Sequence, residues 1–195
     1  MHFRLRTSLI AASVAAAALA VGAPSASAGL LVASAPDCSP QPTTQAFAAY
    51  GDTDEYELAP GGDFGSAGAN WDMRGGASEV NGTLRLPPGA SAQSPVMCVG
   101  IEHPTVRFFA KNNAALLSTL TVDVTFETSL GLKASLPFGT VLPSGQFKPS
   151  PKFYVLANLL PLLPGEHTPV QFRVTSVGLG TWNVDNFFVD PRCRH

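Results

Sequence analysis

Charge is scarce in this chain, and cysteine scarcer. Asp, Glu, Lys and Arg make up 13% of the 195 residues, and the three cysteines are Cys38, Cys98 and Cys193. There is no Cys-x-x-Cys and no His-Glu-x-x-His, so the common zinc arrangements are excluded. No Gly-x-Ser-x-Gly elbow occurs either, which removes the usual sign of a serine hydrolase. His103, His167 and His195 are scattered without ligand spacing. Also missing is any amphipathic helical stretch of useful length. Past the first 28 residues, Pro, Gly or a charge interrupts every apolar run, so none is long enough to span a bilayer.

What is present begins with an address. Arg4 and Arg6 precede an alanine-rich apolar run, Ser8–Val21, and Ala26-Ser27-Ala28 supplies small residues for cleavage. Residues 1–28 therefore read as a secretory signal peptide, and the expected location is extracellular, with no membrane insertion after cleavage. The alternative, a retained anchor, is disfavoured because the run is shorter than the roughly 20 residues of a comfortable span. Without Arg4 and Arg6, ten basic residues face fourteen acidic ones. That acidic balance argues against nucleic acid and against anionic membrane surfaces as partners.

Residues 29–44 form a leader rich in Pro, Ser and Thr, expected to be loosely ordered, and 45–195 are expected to form one domain. A chain of this size can bury a core without many staples. Export favours oxidised cysteines, yet three is an odd number, and sequence leaves three pairings open. Cys38–Cys98 is the expected bridge, because Cys193 sits in the tail PRCRH; the alternative is that none is bridged. Cys193 would then be left for an intermolecular disulfide.

The rest of the chain carries short strand signals closely punctuated by turn formers. Thr44–Tyr50 is expected to make a helical turn or two, ended by Gly51-Asp52. Tyr56–Leu58, Trp71–Met73, Ser78–Val80 and Thr83–Leu86 are strand candidates. Asn81-Gly82 predicts a tight hairpin and is also part of a glycosylation sequon, Asn81-Gly82-Thr83. Val96–Val99 is a continuous apolar run, expected to be buried on both sides. Val106–Lys111 is a strand. Leu120, Val122, Val124 and Phe126 then alternate strictly with Thr121, Asp123, Thr125 and Glu127, the pattern of a strand with one dry and one wet face. Phe153–Leu156 and Val170–Thr175 follow, the latter with Val170, Phe172 and Val174 inward. Pro137, Pro143, Pro149 and Pro151 lie between strands in this reading and forbid long helices there. Ala157–Gly165, apolar but broken by two prolines, reads as a plug over one end; an exposed patch for a partner is the alternative.

The last strand, TWNVDNFFVDP, contains a conflict of register. Trp182 and Val184 share one face by alternation, while Phe187 and Val189 fall on the other. A β-bulge at Asp185-Asn186 would bring all four to one side. The alternative is a regular strand covered on both faces in its second half. Together these elements predict an all-β fold, an antiparallel two-sheet β-sandwich.

Three segments, taken in order, carry a family resemblance. They are Gly61-Gly62-Asp63-Phe64 followed by Trp71, then VRFFAKN followed by LTVDVTF, then the closing W-x-V-D-x-x-x-V-D-P. Over roughly Tyr56–Pro191 the chain resembles carbohydrate-binding modules of the galactose-binding-like, jelly-roll class, and secreted single-domain proteins with the same ending. The resemblance implies a structural calcium ion, held by an early Phe-Glu pair and a late Asp-Asp pair. Here the matching positions are Phe64-Gly65 and Asp185-Asn186, so a glutamate and an aspartate are missing. Asp63 and Asp185 are left as the metal candidates. The alternative is that Asp185 hydrogen-bonds the backbone at the bulge.

The expected function is a secreted, non-catalytic binding module for a carbohydrate or another cell-surface ligand. Aromatic candidates are Trp71, Tyr56, Tyr50, Trp182 and Tyr154. Arg107, Lys111, Asp123, Gln171 and Arg173 are the wet-face residues expected to line a groove. Within these sets, Trp71, Tyr56, Arg107, Asp123 and Arg173 are the foremost ligand-binding candidates. A structural or assembly protein of the cell exterior, acting through Cys193 or the 157–165 patch, is the alternative from a different class. Glu55 and Glu57 form the one carboxylate pair that invites an enzymatic reading, and a solvated edge explains it better.

Overall fold

The alternation seen in the sequence becomes two antiparallel sheets packed face to face. The computed structural model describes residues 41–65, 70–101, 103, 105–113, 117–155 and 166–190. Residues 1–28, Cys38, the 157–165 stretch and the tail with Cys193 lie outside the described residues. The strands are β1 (Thr43–Thr44), β2 (Tyr56–Leu58), β3 (Asp72–Arg74), β4 (Ser78–Val80), β5 (Thr83–Leu86), β6 (Ser91–Gln93) and β7 (Met97–Gly100). They continue with β8 (Thr105–Asn112), β9 (Ser118–Glu127), β10 (Lys133–Val141), β11 (Lys148–Pro149), β12 (Phe153–Tyr154), β13 (His167–Gly178) and β14 (Trp182–Asp190). Among the described residues the only helical element is a single 3-10 turn, Ala48–Tyr50, stopped by Gly51 at φ +80°. No described helix is long and apolar enough to cross a membrane.

One sheet has eight strands and is centred on β14, which pairs with β8 on one side and with β5 and then β2 on the other. The other has six strands in the order β10-β9-β13-β6-β3, with β7 also on β13. The strict alternation of β9 is borne out. Leu120, Val122, Val124 and Phe126 enter the core, with Val170, Phe172 and Val174 of β13 beside them. From the other sheet come Leu84, Leu86, Val106, Phe108, Trp182 and Val184. Asn81-Gly82 forms the β4–β5 hairpin with positive φ at both residues, as a type I′ turn requires.

The register of β14 against β8 shifts between Asp185 and Phe188, and Asn186 takes φ +50°. The predicted bulge is there. It returns Phe187 and Val189 to the main core beside Trp182 and Val184. Phe188 turns to the opposite face, where it joins Phe47 and Tyr56 in a second apolar cluster. The far half of β14 is therefore covered on both faces as well.

Two readings are corrected. Pro137 and Pro149 do not lie between strands; they sit in β10 and β11. Both strands are at sheet edges, and a register shift between Pro137 and Gly139 absorbs the proline in β10. The Val96–Val99 run is not buried throughout, since Val96 is 59% exposed and Cys98 is half-buried.

The Gly-Gly-x-Phe turn presses against the bulge. Phe187 N–H donates to Gly62 O at 2.9 Å, and Ala59 N–H donates to Phe187 O at 2.9 Å. A Cβ on Gly62 would lie 2.7 Å from Phe187 O and 3.0 Å from Ala59 O, both backbone atoms that cannot rotate away. Gly62→Ala is therefore expected to destabilise the protein by about 2 kcal/mol through forced backbone movement. Asn186→Gly, at a backbone angle glycine adopts freely, should stay within about 1 kcal/mol of the parent. Urea unfolding midpoints of the two variants check both values.

Candidate functional site

Because even-numbered residues of β9 and β13 fill the core, their odd-numbered neighbours share the outer face of the six-stranded sheet. Cross-strand register sets the rest. Arg173 stands opposite Asp123 on one side and Gln93 on the other, and Gln93 stands opposite Asp72. One row along, Gln171 is opposite Thr125, and Thr125 is opposite Ser135. All of these but Asp123, together with Arg74, Lys133 and Ala134, line a shallow groove of about 390 Å³ that crosses β3, β6, β13, β9 and β10. No aromatic ring lines it.

The guanidinium of Arg173 donates from Nε and Nη2 to Asp123 Oδ2, both at 3.2 Å, and from Nη2 to Ser135 Oγ at 3.3 Å. Arg74 does likewise toward Asp72 Oδ2, at 3.0 Å from Nε and 2.6 Å from Nη2. Gln171 donates through its amide nitrogen to Ser94 O at 2.9 Å. Asp123 and Arg173 are thus brought together as expected from sequence. Asp72, Arg74, Gln93, Lys133 and Ser135 were missed. They lie on three-residue strands or on the proline-bearing edge strand, where too few residues alternate to betray a face.

The other three ligand-binding candidates are elsewhere, and each is a correction. Trp71 is 6% exposed; its ring packs edge-on to Phe64 and Phe187, and its Nε1 donates to Pro60 O at 3.0 Å. Tyr56 is fully buried in the second cluster. Arg107 is on β8, in the opposite sheet, so it shares no groove with Arg173. Trp182 is buried too and donates through Nε1 to Ser118 Oγ at 2.8 Å. Tyr50 and Tyr154 alone of the five aromatics are exposed. Tyr154 lies beside Phe138, Phe153, Thr121 and Thr140 in a cleft of about 620 Å³ between β10 and β12.

Arg107 instead belongs to a clamp on the outer face of the eight-stranded sheet. Residues 43–52 cross that face. Phe47 is fully buried, stacked on Phe109 at 5.1 Å and edge-on to Tyr56 and Phe188, with the Arg107 guanidinium 4.7 Å above its ring. Asp52, at the end of the crossing, accepts from Tyr56 Oη at 2.7 Å, pairs with Lys152 at 2.8 Å and pairs with Arg107. Burial alone would raise the Asp52 carboxyl. Hydrogen bonds from Lys152, Tyr56, the Asp54 backbone and Arg107 outweigh it and hold the group at about 2. Burial pushes the Tyr56 phenol up, and the bond to Asp52 pushes it further.

Asp63 and Asp185 do approach each other. Burial raises the Asp185 carboxyl, the Asn186 backbone N–H partly offsets this, and the charge of Asp63 adds to the rise. That backbone bond is the alternative role foreseen for Asp185. Among the described residues, no third His, Cys, Asp or Glu completes a metal cluster. The two carboxylates supply part of the six to eight oxygens that calcium takes. Cys98 is engaged in a disulfide. The two cysteines that can partner it lie outside the described residues.

No protein-family model and no curated protein matches the chain. Solved structures do. The chain is similar to a mutant family 29 carbohydrate-binding module complexed with cellulohexaose, at 13% identity and a TM-score of 0.41, over 70% of this chain and 90% of that one. It is similar to the CBM22-1–GH10 modules of a Clostridium thermocellum endo-1,4-β-D-xylanase complexed with xylohexaose, at 12% identity and a TM-score of 0.48. It is also similar to a family two carbohydrate esterase from Cellvibrio japonicus, at 10% identity and a TM-score of 0.39. The coverage is 72% of this chain and 29% of the xylanase modules, and 63% of this chain and 31% of the esterase. The likeness is one of fold, which rests here on the strand pairing and core already described.

The clamp generates a prediction in pH. Because the folded-state value of Asp52 lies below its ordinary value of 3.8, its contribution is present above pH 4 and is lost as pH falls toward 2. That contribution is about 2 kcal/mol. Asp52→Asn should lower stability at pH 7 and flatten the loss between pH 4 and pH 2. Thermal melts of both proteins across that window check it.

Proposed function

We propose that this chain is an exported, non-catalytic binding module that holds a carbohydrate or another cell-surface ligand across the outer face of its six-stranded sheet. One observation carries the reading. The groove presents side-chain donors and acceptors from five adjacent strands, a layout that suits a polar ligand rich in hydroxyl groups. Rigid strands hold these groups in place, so little ordering accompanies binding. The carboxylates near the groove, Asp72 and Asp123, each accept from an arginine and are tied to binding geometry rather than to proton transfer.

A panel of soluble and insoluble glycans, presented to the purified protein, tests the reading. Binding to at least one glycan is expected, weakened about tenfold or more by Gln171→Ala with Arg173→Ala, each removing a hydrogen-bonding group. Absence of binding across the panel would overturn it.

A second reading, an assembly protein of the cell exterior, has one observation in its favour. Leu117, Leu142 and Leu179 stand 67–80% exposed where β9 begins, β10 ends and β13 ends. In either case we propose Cys38 as the partner of Cys98, with Cys193 left free. Peptide mapping of unreduced protein should return the Cys38–Cys98 link. A reducible dimer that disappears in Cys193→Ser would favour assembly, and a monomer in both proteins would remove the disulfide version of it.

A further inference from the structure

We infer that the ligand of this groove is an acidic polysaccharide, recognised through its negative charges. This rests on the groove's being a carbohydrate site, as proposed above. A neutral sugar is usually gripped by an aromatic face under its apolar side, and this groove has no ring to offer. What remains is hydrogen bonding. Bonds between neutral groups gain little against water, whereas bonds with one charged partner are roughly twice as strong.

The groove is equipped for the stronger kind. Arg74 on β3, Arg173 on β13 and Lys133 on β10 all line it, although the chain as a whole carries a net charge of −2. They occupy every second strand of the sheet along a diagonal, since Arg74 stands level with Thr175 and Lys133 with Glu127, four residues from Asp123; at the backbone Arg173 is about 12 Å from Arg74 and about 17 Å from Lys133. Each arginine is pinned by an aspartate through its Nε and Nη2, and Nη1 of each has no acceptor among the described residues. Arg74, fixed along one edge, keeps its other edge ready for a carboxylate or sulfate, while Arg173, whose Nη2 also donates to Ser135 Oγ, offers its Nη1. The Lys133 ammonium, with Glu127 as its cross-strand neighbour, makes no hydrogen bond or ion pair among the described residues. A polymer with repeating anionic groups meets more than one of these cations at once, while Gln93, Thr125 and Ser135 offer partners for its hydroxyls. An acidic peptide fits less well. Peptides add along a free strand edge, whereas this groove runs across five strands.

The test is affinity electrophoresis of the purified protein in gels containing polygalacturonate, the same polymer after its carboxyls are reduced to alcohols, a sulfated galactan, or polyglutamate. Retardation by polygalacturonate or the sulfated galactan is expected, and whichever retards identifies the carboxylate or the sulfate as the anion read. The reduced polymer should bind at least tenfold more weakly, and added salt should erode the retardation, because charges at this surface are screened. Arg173→Gln should weaken binding about tenfold. Lys133→Gln, on an exposed edge position, should weaken it about threefold with the melting temperature unchanged, which keeps the test readable should Arg173→Gln fail to fold. Equal binding of the reduced polymer, indifferent to salt, would overturn the acidic ligand and leave the carbohydrate module standing. Equal retardation by polyglutamate would also overturn it, in favour of a peptide or unselective polyanion contact. No retardation here and no binding in the glycan panel would overturn both.

Discussion

A single extra residue in β14 sets the conditions for most of this structure. That strand pairs with β8 along its length, with β5 near its start and with β2 near its end. A regular strand would turn Phe187 and Val189 away from the core that Trp182 and Val184 enter. The bulge at Asp185–Asn186 keeps all four inside, at the cost of a positive φ at Asn186. It also fixes what surrounds it. Gly62 must lack a side chain because Phe187 presents its carbonyl there, and Phe187 stacks on Phe108 at 5.2 Å, closing the core between the sheets.

The same bulge makes the two outer faces of the sandwich unequal. On the eight-stranded sheet it aims Phe188 outward, and that ring needs a cover. Phe47, carried by residues 43–52, supplies it, with Asp52 tying the crossing to Tyr56, Arg107 and Lys152. The outer face of the six-stranded sheet needs no such cover. Around the groove its outward residues on β9 and β13 are Thr121, Asp123, Thr125, Gln171, Arg173 and Thr175, which stay in water at little cost and leave a groove open. One face is covered by the crossing segment, and the other is left open to solvent.

Much of this was legible along the chain. The β9 alternation needed only a period of two, and Asn81-Gly82 only the backbone freedom of its two residues. The bulge followed from four apolar residues that no regular strand can place on one side. The edge strand β10 was hidden, because Pro137 reads as a break until its neighbour is known to lie on one side only. Arg173 in the groove and Asp123 beside it came from long strands whose wet faces could be read. Asp72, Gln93 and Lys133 came from strands without enough alternation to read. Tyr56 and Trp71 were misplaced for a different reason. Aromatic type does not distinguish a ring that packs a core from one that meets a ligand.

Sequence by itself determined the all-β class, the inward faces of β9 and β13 and the position of the bulge, because these depend on residues that are neighbours along the chain. Only the tertiary structure decided which wet faces meet. Arg107 and Arg173 carry the same chemistry on similarly patterned strands. Pairing sent one beneath Phe47 and Asp52 on one sheet, and the other beside Asp123 in the open groove of the second. Which strands become neighbours is a long-range outcome of hydrogen-bonded register and core packing, and local pattern holds no record of it.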